Sequence, residues 1–451
     1  MITTRNEINL AKLYVFLLPF RMFTPFLFLE KLLGPIVDYA DALLHIIGLM
    51  VWAINEGGFY ISSSNRPLFN KIRNSIFYLN FSSFVMAFVM LAGYGYCNGV
   101  SPFRGILPQT LFYFQYILIF LYNIRVFSIL SYNEIVSILK STCRTLLVIG
   151  YIQVAVMNGI GTALYDTIAN TIGGTNPSSL LPKLCLTGSE GASAGSLLGI
   201  FVIPFVLSRI LHGDKTAKYE LLLWLIPIYY TRSSTAMMLF FMNLIIFTFL
   251  KSKESFNGKH FIKNIVGLCC IVGIVALVVL LTGSVGGGVL DEIEYLVFRK
   301  AFDQDNGSTI SRNIPLILNW GAFTEMPLLG VGNGLQGYFF NKYFPREYMN
   351  IPGSDVWEFY EIAQTGIANG GCFWPGYLSG YGIAGLIVLA IIIVAIVRQW
   401  KQRQTGIGIF SEMFIMGALC FFPCGMQGEL YATYYAWFVI SLPFMCYNLR
   451  S

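Results

Sequence analysis

The sequence predicts an all-α polytopic membrane protein with about twelve transmembrane helices, one large helical extracytoplasmic loop, and both termini in the cytoplasm. Three observations predict it. Charged residues make up only 12% of the 451 residues, against about 25% in an average globular protein. Hydrophobic residues make up 56%, mean hydropathy is +0.65, and the apolar residues fall in bilayer-length runs. Lys and Arg cluster in every second loop, as the positive-inside rule requires of one membrane face.

The chain opens MITTRNEINLAKLYVF, a charged start and an apolar run without a small-residue cleavage site. This reads as a retained first helix rather than a signal peptide. Spans are expected at 11–29, 36–55, 75–93, 107–124, 143–161 and 192–211. Six more follow at 218–231, 234–250, 262–282, 376–397, 406–424 and 430–448. The short seventh pairs naturally with the eighth as two parts of one broken element.

Orientation comes from five basic clusters. They are Arg66/Lys71/Arg73, Arg125/Lys140/Arg144, Arg209/Lys215/Lys218, Lys251/Lys253/Lys259/Lys263 and Arg398/Lys401/Arg403. All fall on the expected cytoplasmic side. The net charge of +6 is therefore a topology signal, not a nucleic-acid footprint. The organisation is a bundle over 1–282, a cap loop over 283–375 and a second bundle part over 376–451. The stretches GGTNPSSLL and GSVGGG read as loop borders.

The 93-residue interruption at 283–375 is the main polar feature. It holds Trp320, Trp357 and Trp374 with many Phe, Tyr and Leu, so it can bury apolar surface and fold as a cap. Within it, SRNIPLILNWGAFTEMPLLGVGNG carries Ile314, Leu316, Ile317, Leu318, Trp320 and Phe323 in an amphipathic pattern. This predicts a helix on the outer surface, ended at Pro327 by GVGNG, whose glycines read as turn geometry. No strand precedes GVGNG, so it is no dinucleotide-binding fingerprint.

Outer-side polar groups are the site candidates. Arg232, in YYTRSSTAMMLFF between the seventh and eighth spans, lies where a topology-setting Arg is not expected. It reads either as a snorkelling or capping side chain or as an anion ligand, since guanidinium bonds phosphate oxygens in pairs. Ser233 and Ser234 can cap the next helix. The cap loop adds Arg299, Lys300 and Arg312, with the acids Asp303, Asp305, Glu325, Asp355, Glu358 and Glu361. Glu190 stands at the outer mouth of the sixth span, and Asp38 and Asp41 near the outer end of the second. Each loop carboxylate has the simpler reading of a solvated surface acid. Asp38 and Asp41 also have Arg21 as a candidate partner inside the bundle.

His45 lies within a span, while His212 and His260 fall in cytoplasmic loops. The large outer loops carry no His, which argues against imidazole general-base chemistry there. The nine Cys residues show no metal-ligand spacing, and Cys269 and Cys270 adjoin within an apolar run. Cys97, Cys185 and Cys372 share the expected outer side, which leaves one disulfide among them open.

Three segments together resemble the O-antigen polymerase (Wzy) and O-antigen ligase superfamily of membrane glycosyltransferases. The first is YYTRSSTAMMLFFMNLIIF, similar to the family's outer-face Thr-x-Ser-Arg motif with the Arg shifted ahead of the serines. The second is SRNIPLILNWGAFTEMPLLGVGNGLQGYFF, similar to its Arg, amphipathic helix and Pro-Leu-Leu-Gly-x-Gly block. The third is IANGGCFWPGYLSGYGIAGLIVLAIII, similar to its polar, aromatic and Gly-Ile-x-Gly start of the next span. SEGASAGSLLGIF is also similar to the acidic, small-residue start of a polymerase span. Ligases of the superfamily carry a His-Asn-like pair where this chain reads Ala368-Asn369-Gly370, so the resemblance favours the polymerase branch.

The resemblance implies an undecaprenyl-pyrophosphate-linked oligosaccharide as substrate. It implies joining of repeat units at the periplasmic face of a bacterial inner membrane, as in lipopolysaccharide biosynthesis, with no metal, cofactor or nucleotide sugar. It leaves room for a membrane partner that regulates chain length. Under it, Arg232, Arg299 and Arg312 bind the pyrophosphate and sugars, with Arg232 and Arg312 as the catalytic cations that offset developing charge, and Glu190 is the leading base candidate. Arg299, Lys300, Ser233, Asn369 and Asp41 are the expected substrate-binding residues. Four other readings compete: a flippase for the same lipid-linked sugars, a small-molecule transporter, an O-antigen ligase, and a different lipid-carrier glycosyltransferase. The last would use Asp38 or Asp41 as base.

Overall fold

The computed structural model describes residues 4–20, 40–96, 101–172, 183–187, 191–253, 307–347, 360–361, 372–427 and 433–446. Among the described residues every regular element is a helix. In chain order these are α1 (Arg5–Leu17), α2 (Ala40–Glu56), α3 (Arg66–Tyr94), α4 (Pro102–Ile129), α5 (Tyr132–Met157) and α6 (Thr162–Ile172). Next come α7 (Gly191–Leu211), α8 (Lys215–Tyr230) and α9 (Ser234–Lys253). The last five are α10 (Gly307–Glu325), α11 (Gly337–Tyr343), α12 (Phe373–Arg403), α13 (Ile409–Gln427) and α14 (Tyr434–Ser441).

Seven of them, α3, α4, α5, α7, α9, α12 and α13, are long and apolar enough to cross a membrane. Helices α1, α2, α8 and α14 fall on further expected spans but are shorter. The expected span at 262–282 lies outside the described residues. Several helices begin before their apolar runs do. The third expected span, at 75, starts at Arg66, and the fifth, at 143, starts at Tyr132. A capping box explains the second case: Ser131 Oγ accepts from the Glu134 amide at 3.3 Å, and the Ser131 amide donates to Glu134 Oε2 at 2.9 Å. Polar first turns extend helices past the hydrocarbon, where hydropathy alone cannot see them.

Basic residues from several described segments gather at one end of the bundle, where they make buried ion pairs. Arg125 is fully buried, with Nε 2.6 Å from Glu7 and Nη1 2.9 Å from Glu56. Trp52 donates to Glu56 at 2.9 Å, and its ring lies under the guanidinium. Arg209, also buried, reaches Glu220 at 2.6 Å and Asp214 at 3.0 Å, and Lys140 joins Asp214 at 2.9 Å. Lys12 pairs with Glu134 at 2.7 Å, His212 with Glu412 at 3.0 Å, and Arg403 donates to Asn65 at 2.6 Å. The sequence reading gave Arg125, Lys140 and Arg209 a topological role alone; their acids lie far away in the chain or in flanking turns.

At the opposite end, α10 packs on α12 and caps the ends of α3 and α4. Its buried face is Ile310, Ile314, Leu318 and Ala322, one residue every four, and Trp320 faces outward at 61% exposure. These side chains pack with Ala87 and Met90 of α3 and Ile106 of α4. The expected amphipathic helix is thus present and ends where Pro327 predicted. At Gly321 the Tyr343 ring of α11 lies where a Cβ would stand, at 2.2 Å, so only glycine permits this hairpin. Lys342 and Tyr343 both bond Glu325, and the Lys342 ammonium, 2.5 Å away, holds that carboxyl below its ordinary pKa.

Candidate functional site

Two arrangements stand out at the end opposite the basic one. The first is the Arg232 turn between α8 and α9. Helix α7 approaches α9 through Gly191, Gly195 and Gly199, spaced every four residues on one face. A Cβ at these positions would stand 2.4 Å from the Thr231 carbonyl oxygen, 2.8 Å from the Ala236 amide nitrogen and 2.5 Å from Leu239. Asn243 fixes the same seam by donating to the Gly199 carbonyl at 2.8 Å, beside a π-helical turn at Leu198–Val202. The run GASAGSLLG therefore exists to let α7 press against the Arg232 turn.

That turn is tight. Thr231 and Ser233 are buried while Arg232 between them is exposed, with φ +46°, rare for a side-chain-bearing residue. The Ser233 amide donates to Thr231 Oγ1 at 3.3 Å, and Ser233 Oγ accepts from the Ala236 amide at 3.5 Å, capping α9. The expected capping role falls to Ser233, since Ser234 is already the first helical residue. The segment 183–187 lies alongside: the Leu184 amide donates to the Tyr230 carbonyl at 2.9 Å. Gln153 grips both sides of Leu186, its Oε1 accepting from the amide at 2.8 Å and its Nε2 donating to the carbonyl at 2.7 Å. Lys183, half-buried, has its Cβ within 3.6 Å of the point where a Gly191 side chain would begin. The sequence reading passed over Lys183; a lone cation in a short stretch between apolar runs was the available signal.

Glu190 lies outside the described residues, but its neighbour Gly191 is in contact with Thr231. Arg299, Lys300 and Asn369 also lie outside the described residues, as does the side chain of Asp41, whose backbone is in the first turn of α2. Arg312 is half-buried in the second turn of α10. Cys97 lies outside the described residues, and no disulfide joins Cys185 to Cys372.

The second arrangement joins the GVGNG segment to α12. Residues 330–337 are buried. The Val331 amide donates to the Ser379 carbonyl at 2.9 Å and the Gly332 amide to the Gly380 carbonyl at 3.0 Å. In return, the Ile383 and Ala384 amides donate to the Pro327 and Leu328 carbonyls at 2.9 and 3.0 Å. This exchange is feasible because α12 is broken at Gly382 (φ +60°, ψ −156°), which frees backbone groups that an intact helix would use internally. A Cβ on Gly330 would stand 2.4 Å from the Gly380 carbonyl carbon.

Neutral side chains complete the seam. Gln336 accepts from the Gly334 amide at 2.8 Å and donates to the Gly376 carbonyl at 2.9 Å. Ser83 Oγ accepts from the Asn333 amide at 3.2 Å, and Ser379 donates to Asn319 at 2.7 Å. The glycines do provide turn geometry, with φ of +73°, +94° and +93° at Gly330, Gly332 and Gly334. What the sequence reading missed is the partner. The signal was present as two amide- and glycine-rich stretches, GVGNGLQ and GYLSGYG, in an otherwise apolar neighbourhood.

An apolar groove of about 620 Å³ runs between α3, α4, α12, α13 and α14. Phe373, Trp374 and Tyr377 line it near the GVGNG end, and Ile72, Val397 and Trp400 near the basic end. None of its lining residues belongs to the segments carrying Arg232 or Arg312. No protein-family model matches the chain, and no match to a curated protein is found.

Proposed function

We propose that the chain is a bacterial surface-polysaccharide polymerase of the O-antigen polymerase kind. It would join oligosaccharide repeat units carried on undecaprenyl pyrophosphate at the periplasmic face of the inner membrane. The observation that carries the reading is the pairing of GVGNG with the broken start of α12. Two of the three segments on which the family resemblance rests, far apart in the chain, are bonded backbone to backbone. In this reading the end bearing Arg232 faces the periplasm, and the approximately twelve spans and the cap over 283–375 complete the architecture.

The chemistry asked of the site is glycosyl transfer with a pyrophosphate leaving group. The acceptor hydroxyl oxygen bonds to the anomeric carbon, the bond from that carbon to the pyrophosphate oxygen breaks, and the acceptor proton passes to a carboxylate. Arg232, exposed at the N-terminus of α9, and Lys183 beside it would take the pyrophosphate, with Arg312 at the sugars. Glu190, next to Gly191, is the base candidate. Arg299, Lys300, Ser233, Asn369 and Asp41 would bind substrate.

A flippase or transporter is the second reading, and the break in α12 is what favours it, since transporters build sites from discontinuous helices. Against it, the Ser379 and Gly380 carbonyls exposed by the break already accept from Val331 and Gly332. The test is deletion of the gene in its host, complementation with variants, and a gel of the surface polysaccharide. Polymerase activity predicts that long ladders vanish and a core capped with one repeat unit remains. Arg232→Ala should lower polymer amount by about 10²–10³ at normal protein level, the loss typical of removing a charge-stabilising donor. Loss of even the single unit would favour the flippase or the ligase, and wild-type ladders from Arg232→Ala together with Arg312→Ala would remove the assignment.

A further inference from the structure

The apolar groove has a charged rim at one end only on its α3 and α12 walls. Toward the basic end the walls are Ile72 and Ile76 from α3 and Ile392, Ile396, Val397 and Trp400 from α12. Lys71 and Arg73 flank Ile72, and Arg398 and Lys401 adjoin Val397 and Trp400. Lys71, Arg398 and Lys401 are exposed, and half-buried Arg73 donates to the neutral Asn74 amide at 3.1 Å. The chain stretches 61–75 and 388–411 contain no Asp or Glu. Elsewhere at the basic end Lys12, Arg125, Lys140 and Arg209 pair with carboxylates.

We infer that this groove binds an anionic glycerophospholipid, with its phosphate among Lys71, Arg73, Arg398 and Lys401 and one acyl chain along the groove. Membrane topology accounts for basic residues in a loop, but not for an apolar slot opening between the two helices that carry them. Leu389 to Trp400, both lining the groove, spans a helix rise of about 17 Å, close to one leaflet's share of a ~30 Å hydrocarbon core. Headgroup and tail requirements are thus met by adjoining stretches of the same two helices. Basic pockets between membrane helices recognise anionic headgroups by this combination of charge and lateral access. The site lies at the end of the bundle opposite Arg232, and the inference stands independently of the polymerase reading.

The experiment titrates the purified full-length protein with dioleoyl phosphatidylglycerol and dioleoyl phosphatidylcholine, counting retained lipids by native mass spectrometry. Identical chains leave the headgroup as the variable. Phosphatidylglycerol should bind at least about tenfold more tightly at low salt, and the preference should fall several-fold as salt shortens the screening length. Lys71→Gln with Arg398→Gln and Lys401→Gln should abolish the preference, and Ile393→Trp, which fills the groove, should reduce retention of both lipids. If those variants do not fold, the salt dependence of the wild type decides. Equal binding of the two lipids, or a preference insensitive to salt, overturns the inference. So would tighter retention of undecaprenyl phosphate that Ile393→Trp blocks and the glutamine variant leaves unchanged, which would give the groove to a lipid carrier instead.

Discussion

The two ends of the bundle are held together by different chemistry. At the basic end, buried cohesion is ionic: Arg125 with Glu7 and Glu56, and Arg209 with Asp214 and Glu220. At the other end it is neutral: Asn319, Asn333, Gln336, Ser83 and Ser379 satisfy a broken helix and a buried loop. The difference teaches what each end tolerates. An ionic cluster must keep its partners, because one ion left without its counterion in a dry site is far worse than none. A neutral seam must keep its shape, because amides and glycine backbones contact each other with no space to spare. A charge change should therefore damage the first end, and a volume change the second.

The largest effect is expected from Arg125→Met, which leaves Glu7 and Glu56 buried without their cation. Breaking a buried pair from one side costs ~3–5 kcal/mol. Thermal unfolding in detergent should shift down by many degrees. Adding Glu7→Gln and Glu56→Gln to the same protein should restore most of the loss, since the unpaired charges are gone. If the triple variant were no more stable than Arg125→Met, the cluster would be acting by packing, and the contrast between the ends would fail.

Next comes Gly330→Ala, the volume test on the neutral seam. The added methyl meets the Gly380 backbone and sits at φ +73°. Strain at that backbone angle and overpacking together should cost ~2–5 kcal/mol. Gly57→Ala serves as the control: its φ of +67° is similar, but a Cβ there meets nothing within 4 Å. The difference in melting temperature between the two isolates close packing from backbone strain. Equal losses would mean that the seam accommodates a methyl group and is looser than its contacts imply.

The two ends also differed in how far the sequence disclosed them. Hydropathy found the long spans and charge found the basic loops, because both are local averages over neighbouring residues. The α10 helix and its stop at Pro327 were also legible, from period and turn residues. The ion pairs were not: Arg125 meets Glu7 across 118 positions, and no local pattern links them. The seam failed for the same reason, since GVGNG finds its partner 48 residues later, at Ser379 and Gly380. Gly191, Gly195 and Gly199 looked like a small-residue helix start, and only α9 lying against them explains the spacing. Arg232 was legible as a cation between two apolar runs, but the approach of Lys183 to the same turn needed the fold.

The smallest expected effect is a pH dependence from Asp214 at the ionic end, which the amide seam does not share. Partial burial pushes the Asp214 carboxyl up, but the Thr216 hydroxyl, Lys140 and Arg209 outweigh it and hold it well below the ordinary Asp range. The sign follows from linkage. A carboxyl with a depressed folded pKa contributes its full stability above its unfolded value of about 3.9, and loses it as pH falls toward the folded value. Between neutral pH and about 5 the melting temperature should be insensitive to Asp214; below about 4 it should decline, and Asp214→Asn should make that decline shallower. The amides of the opposite seam do not titrate in this range, so Gly330→Ala should shift the whole curve down without changing its slope. If Asp214→Asn left the acid limb as steep as before, the Lys140–Asp214–Arg209 cluster would not be a source of acid sensitivity. If Gly330→Ala changed the slope, the two ends would be coupled, and the separation drawn between them would have to be replaced by one cooperative network.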